Sequence, residues 1–308
     1  MSLLDPLLTH AFHAVCRQQV TSDAGSDLET TFNSGFADTE RFFERLPAID
    51  FRGLSVLDFG CGLGSTCIWL AEKGAERVVG VDVQPVDFAE ARLAERPAEV
   101  GGRVAFHRID PDSDLGFLGQ FDVVISKNTF EHATDPGGYV DAMKARLAPG
   151  GTLLIGFAPL WKSPTGGHIG FMTPLPWAHL LFPERVVLAE RRRFRPEEAA
   201  SRYEDVLGGL SRMTLARFQA VMAGSGLRQV YFDTNNPRGA RSPLRRRALS
   251  VLRVMSRPRA LREYLTFSAY GAWRDRACSS STSSGHASSG PSPGRAQPPG
   301  IGTSLVQR

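Results

Sequence analysis

From Asp58 the chain reads Asp58-Phe59-Gly60-Cys61-Gly62-Leu63-Gly64-Ser65. Glycines at alternate positions let a backbone turn tightly and approach a ligand without Cβ clashes. A carboxylate stands two residues before the first glycine, and a second, Asp82, closes the next apolar run. A carboxylate at the end of that second run can accept hydrogen bonds from a ligand's hydroxyls. Two histidines are candidates for proton transfer: His132, in Asn128-Thr129-Phe130-Glu131-His132, and His168, in Gly166-Gly167-His168. Plainer readings stand beside these: a glycine-rich connection with no ligand, a packing histidine bonded to Glu131, and a turn histidine ordered by its glycines.

Such a turn works only between a strand and a helix. From Leu54 the sequence alternates short β-branched runs with helix-compatible stretches. The strands are expected at 55–60, 77–83, 103–109, 121–127 and 151–157, with helices at about 65–73, 86–96 and 136–147. Near-continuous apolar strands imply a parallel sheet covered by helices on both faces, and the repeated spacing implies a doubly wound α/β fold. The Ala148-Pro149-Gly150-Gly151 turn should separate the last of these helices from the fifth strand. Regularity lapses from 159 to 212. Thr214 then caps a helix, and strands are expected at 227–233 and 263–273.

Two cofactor families use glycine turns of this kind. The dinucleotide fingerprint G-x-G-x-x-G needs Gly or Ala where Ser65 stands, which counts against an NAD(P)-dependent oxidoreductase. The acid followed by G-x-G-x-G instead resembles the first motif of class I S-adenosylmethionine-dependent methyltransferases, of the type 11/12-like kind. The resemblance covers about residues 54–158. It implies a Rossmann-like, mostly parallel sheet of seven strands, the last inserted antiparallel beside the fifth, with a lid inserted at 159–212. It also implies roles. Asp58, Gly60, Gly62 and Gly64 would cradle the methionine moiety, Asp82 would bind ribose, Val83 would pack on adenine, Asp110 would face the adenine amino group, and Asn128 would lie beside the sulfonium.

Methyl transfer asks the protein mainly for alignment and a dry site, and a hydroxyl acceptor also needs a base. His132 and His168 are the catalytic candidates. Some quinone-biosynthesis O-methyltransferases carry E-x-x-E-H at 128–132 as a divalent-metal site. Here Asn128 replaces the first carboxylate, so no metal is expected. Ser126-Lys127-Asn128-Thr129 is not the N-P-P-Y motif of amino-methylating DNA enzymes, and no cysteine has a Pro-Cys context. The acceptor is therefore expected to be a small molecule or glycan, not nucleic acid.

The formal net charge of +4 is segregated. Residues 185–276 hold 20 Arg, no Lys and 8 acids, a net of +12, leaving −8 for the rest. Arg191-Arg192-Arg193-Phe194-Arg195 could meet an acidic substrate. In the insert, Phe171, Met172, Trp177, Leu180, Leu181 and Phe182 could line a pocket mouth or serve as a satellite core. Within the basic insert 238–262, Ser242-Pro243 should start a helix with Leu244, Ala248, Val251, Leu252 and Met255 on one face. That stripe would either pack on the domain or, over 243–256, touch an anionic membrane surface. Four scattered cysteines (Cys16, Cys61, Cys67 and Cys278) fit a reducing cytoplasm, and Asp5 with no early Lys or Arg argues against a secretory signal. The expected organisation is a helical cap at 1–50 with Phe32, Phe36, Phe42 and Phe43 over the cleft, a methyltransferase domain at 51–276, and a disordered Ser/Gly/Pro-rich tail at 277–308.

Overall fold

A computed structural model describes residues 5–17, 27–110, 113–206 and 208–275. The expected tail lies outside these residues. Seven strands form one sheet: β1 (Ser55–Phe59), β2 (Arg77–Asp82), β3 (Val104–Arg108), β4 (Phe121–Lys127), β5 (Leu147–Phe157), β6 (Arg228–Thr234) and β7 (Ala269–Arg274). Their order is β3-β2-β1-β4-β5-β7-β6. The first five are parallel, and β7 runs antiparallel to both β5 and β6. This is the sheet that the resemblance implied. Strand order reverses between β1 and β4, the position where open α/β sheets form a ligand crevice at their carboxyl ends.

The helices are α1 (Asp5–Ala14), α2 (Leu28–Phe43), α3 (Ser65–Glu72), α4 (Asp87–Ala94), α5 (Ala98–Gly101), α6 (Pro136–Ala145), α7 (Ala178–Leu181), α8 (Glu184–Phe194), α9 (Leu215–Gly224), α10 (Pro243–Met255) and α11 (Arg259–Leu265). Side chains of a strand alternate between faces, so both neighbours in a pair such as Val56 and Leu57 can be buried. Leu57, Val124, Leu153 and Trp273 pack against Val140 and Met143 of α6 and Phe218 and Met222 of α9. On the opposite face, Val56, Val78, Ile125 and Tyr270 pack against Phe42 of α2, Leu70 and Ala71 of α3 and Ala89 of α4. No helix among the described residues is long and apolar enough to cross a membrane.

Four expectations need correction. The run at 263–273 is not one strand. Leu265 ends α11, and pairing begins only at Ala269, opposite Phe157 and Thr234. The turn at 148–151 does not precede β5, because Leu147 already pairs with Phe121 and Thr152 with Val123, so these residues bulge within the strand. The insert at 159–212 is not irregular throughout, since α8 occupies its centre. There Val186, Val187 and Leu188 form a separate core with Phe12, Met172 and Tyr203, and Phe171, Leu175 and Phe182 pack against it. Leu180 and Leu181 remain exposed.

The fourth correction concerns α10. Ser242 caps it as expected, accepting from the Arg245 amide, with Pro243 in the first turn. Its apolar stripe does not pack inward, however: Leu244 is 78% exposed, Val251 56% and Met255 47%. Leu249 is buried instead, with Leu252 half-buried, so the helix is rotated by about a quarter turn from the packing orientation.

Candidate cofactor and acceptor site

β1 ends in a turn whose geometry demands its glycines. The Gly60 and Cys61 amides both donate to the Val81 carbonyl, at 2.8 and 3.0 Å. Gly60, Gly62 and Gly64 have φ of 85°, 52° and 81°, in the left-handed region. A Cβ on Gly60 would lie 2.5 Å from the Thr129 hydroxyl oxygen, and one on Gly64 would lie 2.7 Å from both Ala89 Cβ and Phe106 Cζ. A Cβ on Gly62 would meet nothing within 4 Å. Packing therefore explains Gly60 and Gly64, whereas Gly62 faces open space.

Asp82, at the end of β2, addresses the same loop. Its Oδ2 accepts the Gly62 amide at 2.7 Å and its Oδ1 accepts the Gln84 amide at 2.9 Å. Val83 is exposed beside it. The Ile109 amide donates to the Asp82 carbonyl at 2.9 Å, which brings exposed Asp110 to the same end of the sheet. Asp58 stands at the penultimate position of β1. It lies buried on the α2/α3 side, where Cys67 Sγ approaches Oδ2 at 3.5 Å and Oδ1 has no protein partner. Burial pushes its pKa up to about 6, although Lys127 opposes this.

Lys127, to which its sequence context assigns no role, also belongs to the site. It closes β4, and its Nζ donates to Thr39 Oγ1 of α2 at 3.2 Å; Thr39 in turn shares a 3.0 Å hydrogen bond with Thr66 of α3. Burial lowers its pKa while Asp58 and Asp38 pull the other way. A lysine ending an otherwise apolar strand was the available signal. Through this network α2, the core of the expected cap, is tied to the glycine turn. Phe42 of α2 is buried against Tyr270, and Phe32 meets Phe36 and Phe88 edge-on.

The next residue, Asn128, is exposed at φ 55°. Beyond it His132 and His168, far apart in sequence, come together with ring centroids 5.8 Å apart, edge to face. His132 Nδ1 lies 2.6 Å from the Gly209 carbonyl oxygen, and its bond is not to Glu131. Glu131 is buried with Oε2 unpartnered, and desolvation pushes its pKa up to about 8. Burial, then His132 and Arg191, lowers His168 to about 4, so its ring is neutral near pH 7. No cluster of three His, Cys, Asp or Glu among the described residues could hold a metal ion.

Three of the four arginines in the Arg191–Arg195 run are paired with carboxylates, and exposed Arg192 donates to the Ala200 carbonyl. Arg191 is buried and paired with Glu198, its Nε at 2.5 Å and its Nη2 at 2.9 Å; Arg193 pairs with Glu190 and Arg195 with Glu198. A further group of cations lies around a cavity that includes Lys127 and Asn128 but neither histidine.

A seven-stranded sheet of this order, with a glycine cradle open at Gly62 and an acid holding its amide, defines a class I S-adenosylmethionine-dependent methyltransferase fold and fits that cofactor. Residues 34–181 match the family model described as a methyltransferase domain. It is 38% identical over 107 residues to a ubiquinone biosynthesis O-methyltransferase of Cereibacter sphaeroides, covering 34% of this chain and 42% of the relative. It is 37% identical over 130 residues to a magnesium-protoporphyrin O-methyltransferase of Rhodobacter capsulatus, covering 41% and 54%. The chain thus spans about half the length of the curated relatives it matches. Among solved structures, an S-adenosylmethionine-dependent methyltransferase from Mesorhizobium loti aligns over 79% of this chain and 99% of its own, at 19% identity and a TM-score of 0.48.

Proposed function

We propose that the protein transfers a methyl group from S-adenosylmethionine to a hydroxyl oxygen of a small molecule in a biosynthetic pathway. The carrying observation is the open Gly62 cradle with its amide held by Asp82. The matched O-methyltransferases of quinone and porphyrin synthesis support oxygen as the acceptor atom. When bound, the cofactor supplies a sulfonium-activated methyl group whose leaving sulfur needs no protonation.

The chain's residues then have the following work. The Gly60, Gly62 and Gly64 backbone, over Asp58, receives the amino-acid end. Asp82 turns its carboxylate from the loop amide toward ribose hydroxyls. Val83 offers a face for adenine, Asp110 an acceptor for its amino group, and Asn128 a polar contact near the reacting end. His132 Nε2 removes the acceptor's proton, and His168, neutral and packed edge-on, helps exclude water. Titration calorimetry with S-adenosylmethionine tests this reading. Wild type should bind, and Asp82→Ala should lose at least about tenfold in affinity, as expected for lost charge-assisted hydrogen bonds. No binding by wild type at millimolar cofactor would sink the proposal.

The outward face of α10 favours a second element of this reading, a cytoplasmic enzyme held at the inner membrane surface. Leu244, Val251 and Met255 are exposed together with Arg246 and Arg247. A helix with an apolar face and flanking arginines can lie on an anionic bilayer. Wild type should float with phosphatidylglycerol vesicles, and Leu244→Ser/Val251→Ser should not. Equal flotation of both would remove the membrane contact.

A further inference from the structure

A cavity of about 270 Å³ opens at the carboxyl ends of β4 and β5, between α2 and α10. Lys127 and Asn128 form part of its wall, so it adjoins the position assigned to the reacting end of the cofactor. Arg41 and Arg45 reach it from α2 and the residues after it, Arg241 and Arg245 from the start of α10. Asp38 is its one lining carboxylate among the described residues. Five cations thus face one anion.

That anion is already committed. Asp38 Oδ1 accepts from Arg41 Nη2 and Oδ2 from Arg241 Nη2, both at 2.6 Å. Burial works against its ionisation, but the two guanidinium groups prevail and hold its pKa below the ordinary carboxylate value. Arg45 and Arg245 are oriented by other means. Arg45 donates to the carbonyls of Arg41 and Gly239, at 3.0 and 2.6 Å, and lies over the Tyr270 ring at 5.1 Å. Arg245 lies over the Phe267 ring at 5.5 Å. Burial, with Arg241 and Arg45 behind it, lowers the Arg245 pKa, as expected for a cation held among cations.

Several arginines of the insert, by contrast, are neutralised by carboxylates. Arg191 is paired with Glu198, and Arg212 with Glu184 and Glu204. Arg45 and Arg245 are held by carbonyls and rings and make no ion pair with a carboxylate among the described residues, so their N–H donors can bind an external oxyanion in pairs. A lining this positive favours a group with more than one negative charge. The volume is small for a whole drug-sized ligand and suits a headgroup.

We propose that this cavity is the anion subsite of the methyl acceptor and that the acceptor carries a phosphoryl group, as a phosphate or diphosphate ester. The inference rests on the methyltransferase reading, because Asn128 is what joins the cavity to the cofactor end. Arg45 and Arg245 clamp the phosphoryl oxygens, Lys127 adds charge from below, and the hydroxyl to be methylated projects past Asn128 toward His132. The same phosphoryl chemistry occurs in a soluble ester and in a lipid headgroup.

The test is calorimetry of the full chain with inorganic phosphate and with pyrophosphate, each saturating and not saturating in S-adenosylhomocysteine. Pyrophosphate should bind wild type more tightly than phosphate. Arg45→Gln/Arg245→Gln should weaken it by at least about tenfold, the worth of about 1.4 kcal/mol, while affinity for S-adenosylmethionine stays within about twofold. Arg245→Gln alone, which leaves the Arg45 contacts to backbone intact, guards against a folding defect in the double variant and should show part of the loss. Arg246→Gln/Arg247→Gln, on the outer side of α10, should bind as wild type does. Phosphatidylglycerol vesicles displaced by pyrophosphate would mark a lipid-borne phosphoryl group, and vesicles that bind without competition a soluble one. Cofactor binding without pyrophosphate binding, or pyrophosphate binding indifferent to Arg45 and Arg245, overturns the subsite alone. Failure to bind the cofactor overturns the methyltransferase reading instead.

Discussion

His132 Nδ1 sits 2.6 Å from the carbonyl oxygen of Gly209. A carbonyl only accepts, so Nδ1 carries the proton and Nε2 is left with the lone pair. The loop at 208–209 thereby fixes both the tautomer and the orientation of the proposed base. His132→Ala should lower kcat by about 10²- to 10⁴-fold, the usual worth of a positioned general base, with affinity for S-adenosylmethionine unchanged. Single-turnover kinetics with an accepted substrate, alongside calorimetry, measures both. An unaltered methyl-transfer rate would remove His132 from the mechanism.

Gly62 and Gly64 share a backbone conformation but not an environment. Both have positive φ, so alanine at either costs about 1–2 kcal/mol of strain. At Gly64 the added Cβ also collides with Ala89 and Phe106, whereas at Gly62 it enters open space. Gly64→Ala should therefore be the less stable variant, by about 1–3 kcal/mol of overpacking in urea melts. Gly62→Ala should stay folded yet lose cofactor binding. If Gly62→Ala binds as wild type does, the cradle is not where the cofactor lies.

Much of this architecture was legible because strands buried on both faces leave an apolar run. β1, β2 and β4 are such runs, and each falls within a residue of its expected limits. The glycine turn was legible for a related reason, since only glycine fits the φ and contacts found at positions 60 and 64. What failed was decided by tertiary partners. The α10 stripe should pack inward by amphipathicity alone, but Arg245 and Leu249 turn toward the cavity and leave Leu244 outside. The Arg191–Arg195 run looks exposed in sequence because Glu190 and Glu198 become its partners only once α8 folds. Lys127 resembled any strand-end lysine until α2 and β1 closed over it.

Glu131 supplies a stability signature that can be separated from activity. It is 5% exposed, and desolvation raises its pKa from the ordinary glutamate value to about 8. The unfolded chain releases this proton near pH 4.5, while the folded chain keeps it until about pH 8. Between those limits the folded state binds the extra proton, so stability must fall as pH rises, by up to about 1.4 kcal/mol per pH unit from this group alone. Asp58, raised to about 6, adds to the fall at the acid end. His168, lowered to about 4, opposes it there, because the unfolded chain protonates it first. Comparing wild type with Glu131→Gln cancels both contributions. The variant should gain on wild type steadily from about pH 4.5 to 8 and hold that gain above it, measured as the difference in urea midpoints. Parallel stability curves would mean that Glu131 is ionised in the folded protein and has a partner that satisfies its charge.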